Sequence, residues 1–287
     1  MRDAAALPAV LVPLLLHALS LIHGEGPDRG LDTVEFMSGA AAVTKSASAL
    51  GMASVGFDKT YHKNGEMDIL TERGWHNAVL LTLRVKPHGS IWLAPVCSTW
   101  VWVGRFGSGR TSANARGNVL NHRIRLGNMM VVRCVVIMLL AWARGVHLWL
   151  ENPSGTLIHE FSPLREFLTA CMPWRCTAHM CSYGASSQKT MWIWSTSNLV
   201  NKLERVKRPV KERLCVVKKV NGRTYVTGLR KELKSSQAYP LAFGQAVANL
   251  FATIKKRQNI HDMLDATTAD NIVKGKGNSA KRKYKGN

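Results

Sequence analysis

Two short polar segments each follow an apolar run that has the length and composition of a buried β-strand. Pro95–Ser98 follows Ser90–Ala94, and Glu151–Pro153 follows Val146–Leu150. A long apolar run at 125–144 separates them and predicts a helix that ends at a glycine. Strand, helix and strand in this order predict two parallel strands, whose carboxyl ends meet at one rim of a sheet.

The two segments carry side chains suited to covalent catalysis. Cys97 offers a thiol, and Glu151 is an isolated carboxylate, because the chain between Glu72 and Glu151 has ten Lys or Arg and no Asp or Glu. A nucleophile at one strand end and an acid at another predict covalent chemistry on an electron-poor ring. The alternative for Cys97 is a buried core cysteine, which is common among free cysteines.

The composition predicts a polyanionic partner. The 287 residues are enough for one full core, and the formal net charge is +21. Residues 201–287 hold 21 Lys or Arg and 6 acids, whereas residues 1–200 hold 18 and 12. This excess favours nucleic acid as a partner, with a solvated basic tail as the alternative. The six cysteines do not form a regular framework, and no metal site is predicted from their spacing.

The rest of the pattern predicts a parallel α/β sheet. Strands and helices are expected to alternate at 33–37, 41–50, 54–57 and 72–83. Gly104–Asn118 has four glycines, three arginines and no acid, which predicts a mobile basic loop. Asn221-Gly222 between alternating runs predicts a β-hairpin, and a helix is expected at 240–257.

The two ends of the chain differ from the middle. Residues 4–22 are apolar and could be a secretory signal, a membrane anchor or a helix docked on the domain, although Pro8 and Pro13 argue against a spanning helix. Residues 270–287 are basic and of low complexity, which predicts disorder. The predicted division is an apolar segment at 1–28, an α/β domain at 29–200, a basic hairpin and closing helix at 201–260, and a basic tail at 261–287.

The order of these motifs resembles that of the cytosine-5 DNA methyltransferases, which have the class I S-adenosylmethionine-dependent fold. The similar features are a strand followed by a glycine turn, an Asp at a second strand end, Pro-x-Cys at Cys97, the basic loop, the long helix, Glu-Asn at Glu151, and Tyr-Gly-x-x-x-Gln-Lys at 183–189. The resemblance extends from residue 33 to about 198. It implies a Rossmann-like, mostly parallel sheet flanked by helices, with the hairpin and closing helix as a small C-terminal appendage and a disordered basic tail.

The resemblance implies S-adenosylmethionine as the cofactor. Glycine in the first turn permits positive φ, and the helix N-terminus after it favours the charged amino-acid end of the cofactor. An Asp about 20 residues later suits the ribose hydroxyls. An ordinary strand–helix turn and a turn-capping Asp are the alternatives. The implied cofactor residues are Phe36, Ser38, Gly39, Asp58, Asp68, Ile69 and Pro95.

The resemblance also implies roles for the catalytic residues and for nucleic-acid contacts. The Cys97 thiolate would attack carbon 6 of a cytosine, Glu151 would hold or protonate ring nitrogen 3, and Asn152 would order the site. The basic loop would close over an extruded base, and Trp100 and Trp102 would either stack on bases or belong to the core. The implied contacts to nucleic acid come from Arg105, Arg110, Arg116, Gln188 and Lys189.

One departure from the family pattern leaves two hypotheses open. In the family two arginines follow the Gln at alternating positions, and here those positions hold Thr190 and Trp192. The chain is therefore either a methyltransferase that acts on cytosine carbon 5, in DNA rather than RNA, or a catalytically inactive relative that binds nucleic acid. A nuclear or nucleoid-associated monomer is expected, without stable membrane association unless residues 4–22 form an anchor. Secretory or organellar targeting by the first segment is the alternative.

Overall fold

The computed structural model describes residues 30–210, 212 and 214–260. The predicted segments 1–28 and 261–287 therefore lie outside the described residues. The strands are β1 (Leu31–Phe36), β2 (Ser54–Phe57), β3 (Val85–Leu93), β4 (His147–Pro153), β5 (Trp174–His179), β6 (Thr190–Ser195), β7 (Cys215–Val220) and β8 (Arg223–Gly228). The main helices are α1 (Ala42–Ala49), α2 (Glu72–Arg84), α3 (His122–Ala143), α4 (Ser162–Cys171) and α5 (241–260). Shorter helical turns include Trp102–Gly104, Arg105–Ser108, Asn198–Leu203 and Arg230–Ser235.

A six-stranded mixed sheet forms the centre of the molecule, in the order β2-β1-β3-β4-β6-β5. The strands β1 to β4 run parallel, and β6 runs antiparallel to its neighbours β4 and β5. The prediction of an α/β fold with a mostly parallel sheet is confirmed at this level. Because β2 and β3 lie on opposite sides of β1, the chain reverses its direction across the sheet, and a crevice opens at the carboxyl ends of these strands.

Helices cover both faces of the sheet. On one face α2, α3 and α4 pack on residues such as Ile91 and Leu93 of β3, and on the other face α1 and α5 pack on Trp92 between them. Successive side chains of a strand point to opposite faces, so a strand covered on both sides is buried along its whole length. All six residues of β1 are buried, including the polar Asp32, Thr33 and Glu35.

Capping residues explain where the two longest described helices of this layer begin and end. The Thr71 side chain caps α2 by accepting a hydrogen bond from the Gly74 amide (2.9 Å), and Asn121 caps α3 through the Arg123 amide (2.9 Å). Gly145 follows α3 with a φ of +70°, as the sequence predicts for a C-cap glycine.

Two strands differ from the predicted boundaries in a way that affects the site. β3 begins at Val85 rather than Ser90, and β4 continues through Glu151 to Pro153. Glu151 therefore lies within β4, where it pairs with Ile193 of β6, and not in a loop after the strand. The paired backbone holds this carboxylate more rigidly than a loop would.

The predicted hairpin is confirmed, because β7 and β8 pair antiparallel around Asn221 and Gly222, which both have positive φ. The hairpin is a separate two-stranded sheet. α5 is different: Phe243, Val247 and Phe251 are buried against the main sheet. Their spacing forms one apolar stripe on the helix, so α5 belongs to the central core and only the hairpin is an appendage.

Within the described residues, α3 is the one helix long and apolar enough to cross a membrane by length and composition. It packs along the sheet, with Val131, Ile137 and Met138 buried in the main core. Central helices of globular proteins have the same length and composition.

Candidate active site

A cleft of about 300 Å³ opens at the carboxyl ends of β1, β3 and β4. The loops that follow β1, β2 and β3 form its walls, and the segment before α5 closes it from the other side. Its volume is at the lower end of the range for small-molecule sites. Most of the predicted catalytic and cofactor residues line it: Ser38, Gly39, Asp58, Asp68, Ile69, Pro95, Cys97 and Glu151.

The loop after β1 and the carboxylate after β2 are joined directly. The Gly39 amide donates a hydrogen bond to Oδ2 of Asp58 (2.8 Å), while Oδ1 accepts from the amide (2.9 Å) and hydroxyl (2.7 Å) of Thr60. Ser38 Oγ and the Tyr61 hydroxyl lie 2.8 Å apart. Met37 and Ala41 share with Gly39 the left-handed φ region, at +54°, +55° and +51°. The loop after β1 is therefore a tight turn, and at Met37 and Ala41 the backbone has a conformation that a Cβ atom disfavours.

Three of the other cofactor residues line the cleft and one does not. Ile69 offers an apolar wall, and Asp68 accepts a hydrogen bond from the Leu70 amide (2.9 Å). The Pro95 carbonyl accepts from Asn152 Nδ2 (3.0 Å), which ties the loop after β3 to the end of β4. Phe36 does not line the cleft: its ring is fully buried in the core against Phe57, with centroids 5.4 Å apart.

Cys97 and Glu151 lie in the same cleft, as the sequence predicts. Burial raises the pKa of the Cys97 thiol, the positive charge of Lys189 lowers it, and the negative charge of Glu151 raises it. Asn152 is fully buried at the end of β4, and its Oδ1 has no hydrogen-bond partner within the described part of the chain. The pair thus combines a partly buried thiol with a carboxyl group that is almost fully buried.

The Glu151 carboxyl group is held on one side only. It is 7% exposed; Oε1 accepts a hydrogen bond from the Tyr239 hydroxyl, and Oε2 is buried without a partner among the residues described. Burial raises the pKa of Glu151, while the Lys189 charge and the Tyr239 hydrogen bond lower it. The sequence does not predict the Tyr239 contact, because it joins residues 88 positions apart.

Lys189 and Gln188 have different surroundings. Lys189 lines the cleft and donates a hydrogen bond from Nζ to the Ser236 carbonyl (3.0 Å). Its charge acts on both Cys97 and Glu151. Lys189 is therefore part of the candidate catalytic group, in addition to its predicted nucleic-acid role. Gln188 is exposed outside the cleft.

The predicted phosphate contact by Arg110 does not fit its placement. Its guanidinium is 2% exposed, lies 3.3 Å from the centre of the Trp100 ring, and donates to the Ala115 carbonyl and to Asn128 Oδ1 (2.8 Å). Burial lowers the pKa of Arg110 to about 10. Arg110 donates its hydrogen bonds to neutral groups of the loop and of the neighbouring helix α3, so it stabilises the loop from inside and does not face a phosphate.

The other residues of the basic loop are distributed between surface and core. Arg116 is exposed and remains a candidate for phosphate contact, and the Arg105 side chain lies outside the described part of the structure. Trp100 is fully buried, whereas Trp102 is 50% exposed. Trp100 therefore belongs to the core, and stacking on a base stays a prediction for Trp102.

The positions of the two missing arginines are filled by uncharged residues. Thr190 Oγ1 lies 3.1 Å from His179 Nδ1, and the Trp192 ring packs edge-on against His159 beneath the guanidinium of Arg175, 4.9 Å from the ring centre. Lys189, directly before β6, brings positive charge to this part of the cleft.

A buried acid below the loop that follows β1 is missing from the sequence predictions. Glu35 is 1% exposed in β1, and its Oε2 accepts hydrogen bonds from the amide (2.7 Å) and hydroxyl (2.6 Å) of Thr44 near the start of α1. Burial raises the pKa of Glu35 from 4.5 to about 7. The signal in the sequence is an acid within an apolar strand, which demands a partner.

The described residues contain no group of three or more His, Cys, Asp or Glu side chains arranged for a metal ion. Cys176 and Cys181 are buried as free thiols.

No protein-family model matches this sequence, and no curated protein is found to match it.

Proposed function

We propose that this chain is an S-adenosylmethionine-dependent methyltransferase with a Rossmann-like fold, which acts on nucleic acid at carbon 5 of cytosine through a covalent Cys97 adduct. The observation that carries the proposal is the meeting of Cys97, Glu151 and Lys189 in the cleft that also contains the Gly39–Asp58 contact. The crevice at the carboxyl ends of parallel strands is where open α/β sheets bind their ligands.

The residues around the first loop fit the cofactor. A carboxylate has about four acceptor sites, and Asp58 uses three of them within the protein. One acceptor site is left for a ribose hydroxyl. Ile69 and Pro95 supply apolar surface for a flat ring, and Asp68 lies beside them. S-adenosylmethionine, when bound, would supply an electrophilic methyl group.

The catalytic group supplies the other requirements of the reaction. Attack on carbon 6 needs the thiolate of Cys97, and the nearby Lys189 charge favours this form against the effect of burial. Glu151, whose pKa is raised by burial, can hold a proton at ring nitrogen 3 while electrons move into the ring. Carbon 5 then becomes nucleophilic, and loss of its proton after methylation restores the ring and releases the cysteine.

The charge distribution supports nucleic acid as the substrate. The net charge of +21 is concentrated beyond residue 200, and the β7–β8 hairpin exposes Lys218 and Lys219. Such a surface binds phosphates without reading sequence.

The test is covalent trapping on an oligonucleotide that contains 5-fluorocytosine, because fluorine at carbon 5 cannot leave as a proton and the adduct persists. The full-length chain with S-adenosylmethionine should form an adduct that survives denaturation. Cys97→Ala should abolish it. Cys171→Ala, at another partly exposed free cysteine, should leave it unchanged. Trapping that persists in Cys97→Ala would remove this residue as the nucleophile.

The second candidate is a catalytically inactive relative that binds nucleic acid. The replacement of the two family arginines by Thr190 and Trp192 favours it. Calorimetric titration with S-adenosylmethionine separates the two: micromolar binding supports the enzyme, while nucleic-acid binding by a folded protein without cofactor binding supports the inactive relative.

A further inference from the structure

The Tyr239 hydroxyl connects two buried groups in a fixed direction. Trp92 Nε1 donates to the phenol oxygen (3.4 Å), and the same oxygen contacts Oε1 of Glu151. An indole N–H can only donate a hydrogen bond, and an ionised carboxylate can only accept one. The single phenol proton therefore belongs to the contact with Glu151. The pKa of Tyr239 is raised well above its ordinary value by burial and by the Glu151 charge, so the hydroxyl keeps this proton at neutral pH.

The aromatic core fixes the position of this hydroxyl. The Tyr239 ring meets Trp92 edge-on, with centroids 6.2 Å apart, and packs against Phe243 of α5 at 5.2 Å. Trp92 is fully buried in β3, and Phe243 is fully buried in α5. Tyr239 thus reaches the cleft from elements that are anchored in the core, and its hydroxyl has little freedom to move.

This contact leaves Glu151 with one free oxygen. Oε1 is occupied by Tyr239, while Oε2 is buried and has no hydrogen-bond partner within the described part of the chain. A buried carboxyl oxygen without a partner is costly and rare, and a substrate atom would satisfy it. We infer that Tyr239 is a positioning residue, which holds Oε1 of Glu151 so that Oε2 faces the ring nitrogen of the substrate base. The inference deepens the proposed function and depends on it for the identity of the ring.

Four titratable groups lie around this carboxyl group or interact with its partner. Cys97 approaches from the loop after β3, Lys189 from the position directly before β6, and Tyr239 from the segment before α5. Glu35 in β1 acts on Tyr239 at longer range. Loss of the phenol proton removes a hydrogen bond that favours the ionised form of Glu151, so the pKa of Glu151 should rise.

Tyr239→Phe tests this directly in the full-length protein. The variant keeps the ring and its packing but has no hydroxyl. With glutamate labelled at the side-chain carboxyl carbon, the Glu151 NMR signal is assigned by its loss in Glu151→Gln. The midpoint of its titration should move upward by about one pH unit or more in Tyr239→Phe. Tyr61→Phe is the matched control, because the Tyr61 hydroxyl bonds Ser38 and Gly39 on the opposite wall and should leave the midpoint unchanged. An unchanged midpoint in Tyr239→Phe overturns the inference.

A second measurement covers the case in which Tyr239→Phe fails to fold. Biosynthetic replacement of tyrosine by 3-fluorotyrosine keeps the packing and makes the phenol a stronger donor, so the Glu151 midpoint should move downward. No movement would overturn the inference in the same way.

The rate of adduct formation tests whether the Tyr239–Glu151 hydrogen bond contributes to the proposed reaction. On the fluorinated oligonucleotide, Tyr239→Phe should form the adduct about tenfold more slowly, a fraction of the 10²–10⁴ that proton transfer contributes, with unchanged affinity for S-adenosylmethionine. A shifted titration with an unchanged adduct rate would show that the hydrogen bond has no positioning role. If the wild-type protein forms no adduct, the proposed function fails, and the titration still decides whether Tyr239 holds Glu151.

Discussion

Glu35→Gln should remove a pH dependence that one buried carboxyl group imposes on the stability of the fold. Glu35 lies in β1 below the loop that follows this strand, with Oε2 bonded to Thr44 and Oε1 buried without a partner among the described residues. Burial raises its pKa from 4.5 to about 7. At neutral pH, ionising Glu35 therefore costs free energy in the folded protein, whereas in the unfolded chain it does not.

The sign and size of the effect follow from proton binding. Between pH 4.5 and about 7 the folded state binds more protons at Glu35 than the unfolded state, so the free energy of unfolding falls as the pH rises. The difference between these two pKa values, at about 1.4 kcal/mol per pH unit, corresponds to a loss of about 3 kcal/mol. The loss is complete above pH 7 and absent below pH 4.5.

Glutamine stays neutral over this range. Its carbonyl oxygen can accept the Thr44 hydrogen bonds, while its amide group takes the place of Oε1 without a partner, which costs about 1–3 kcal/mol at every pH. This constant cost cancels when the same variant is compared at two pH values. Between pH 5 and pH 8 the wild-type protein should therefore lose about 2–3 kcal/mol more than Glu35→Gln.

Urea unfolding at pH 5 and pH 8 measures this difference. Glu166→Gln is the control, because Glu166 is an exposed side chain on α4 that bonds Ser162, and the change should leave the pH dependence close to that of the wild type. Titrating groups that do not interact with Glu35 contribute equally to the wild-type and Glu35→Gln curves. If Glu35→Gln and the wild type lose the same stability between the two pH values, Glu35 is not a strained carboxyl group and its inferred pKa is wrong.

Two further substitutions test the loops around the cleft. Ala41→Gly should raise the free energy of unfolding by about 0.5–1 kcal/mol, because Ala41 has a φ of +55° that a Cβ disfavours, whereas Ala40→Gly, at an exposed neighbour without positive φ, should lower it. Equal effects in thermal unfolding would show that the loop is not strained. Arg110→Ala should lower the free energy of unfolding by about 3 kcal/mol, because the buried hydrogen bonds of the guanidinium are lost. The same change should speed hydrogen exchange at residues 108–118. Exposed Arg116→Ala should change the free energy of unfolding by no more than about 0.5 kcal/mol, and a similar loss in both variants would contradict the structural role of Arg110.

Local patterns predicted most of the secondary structure. Apolar runs bounded by turn residues predicted the strands near residues 33 and 54, and the Asn221-Gly222 pair predicted the hairpin. These signals depend on neighbours in the chain, so they can be recognised without the fold. The boundaries of β3 and β4 were missed, because strand pairing extends both beyond the apolar residues.

Part of the candidate site could also be predicted from local sequence signals. Cys97, Asp58 and Glu151 each follow or end a strand, and parallel strands bring such residues to one rim. The placements of Phe36 and Arg110 were not predicted, because a sequence window shows neither how deeply a strand residue is buried nor whether an arginine finds partners inside its own loop.

The sequence by itself determined the alternation of strands and helices, the hairpin, and the presence of a thiol and a carboxylate at neighbouring strand ends. Only the tertiary structure decided the chemical state of these groups. Tyr239 reaches Glu151 because α5 packs on the main sheet, and Lys189 enters the cleft because β6 pairs with β4. Burial and charge arise when distant segments meet, and they set the pKa of Cys97, Glu151 and Glu35.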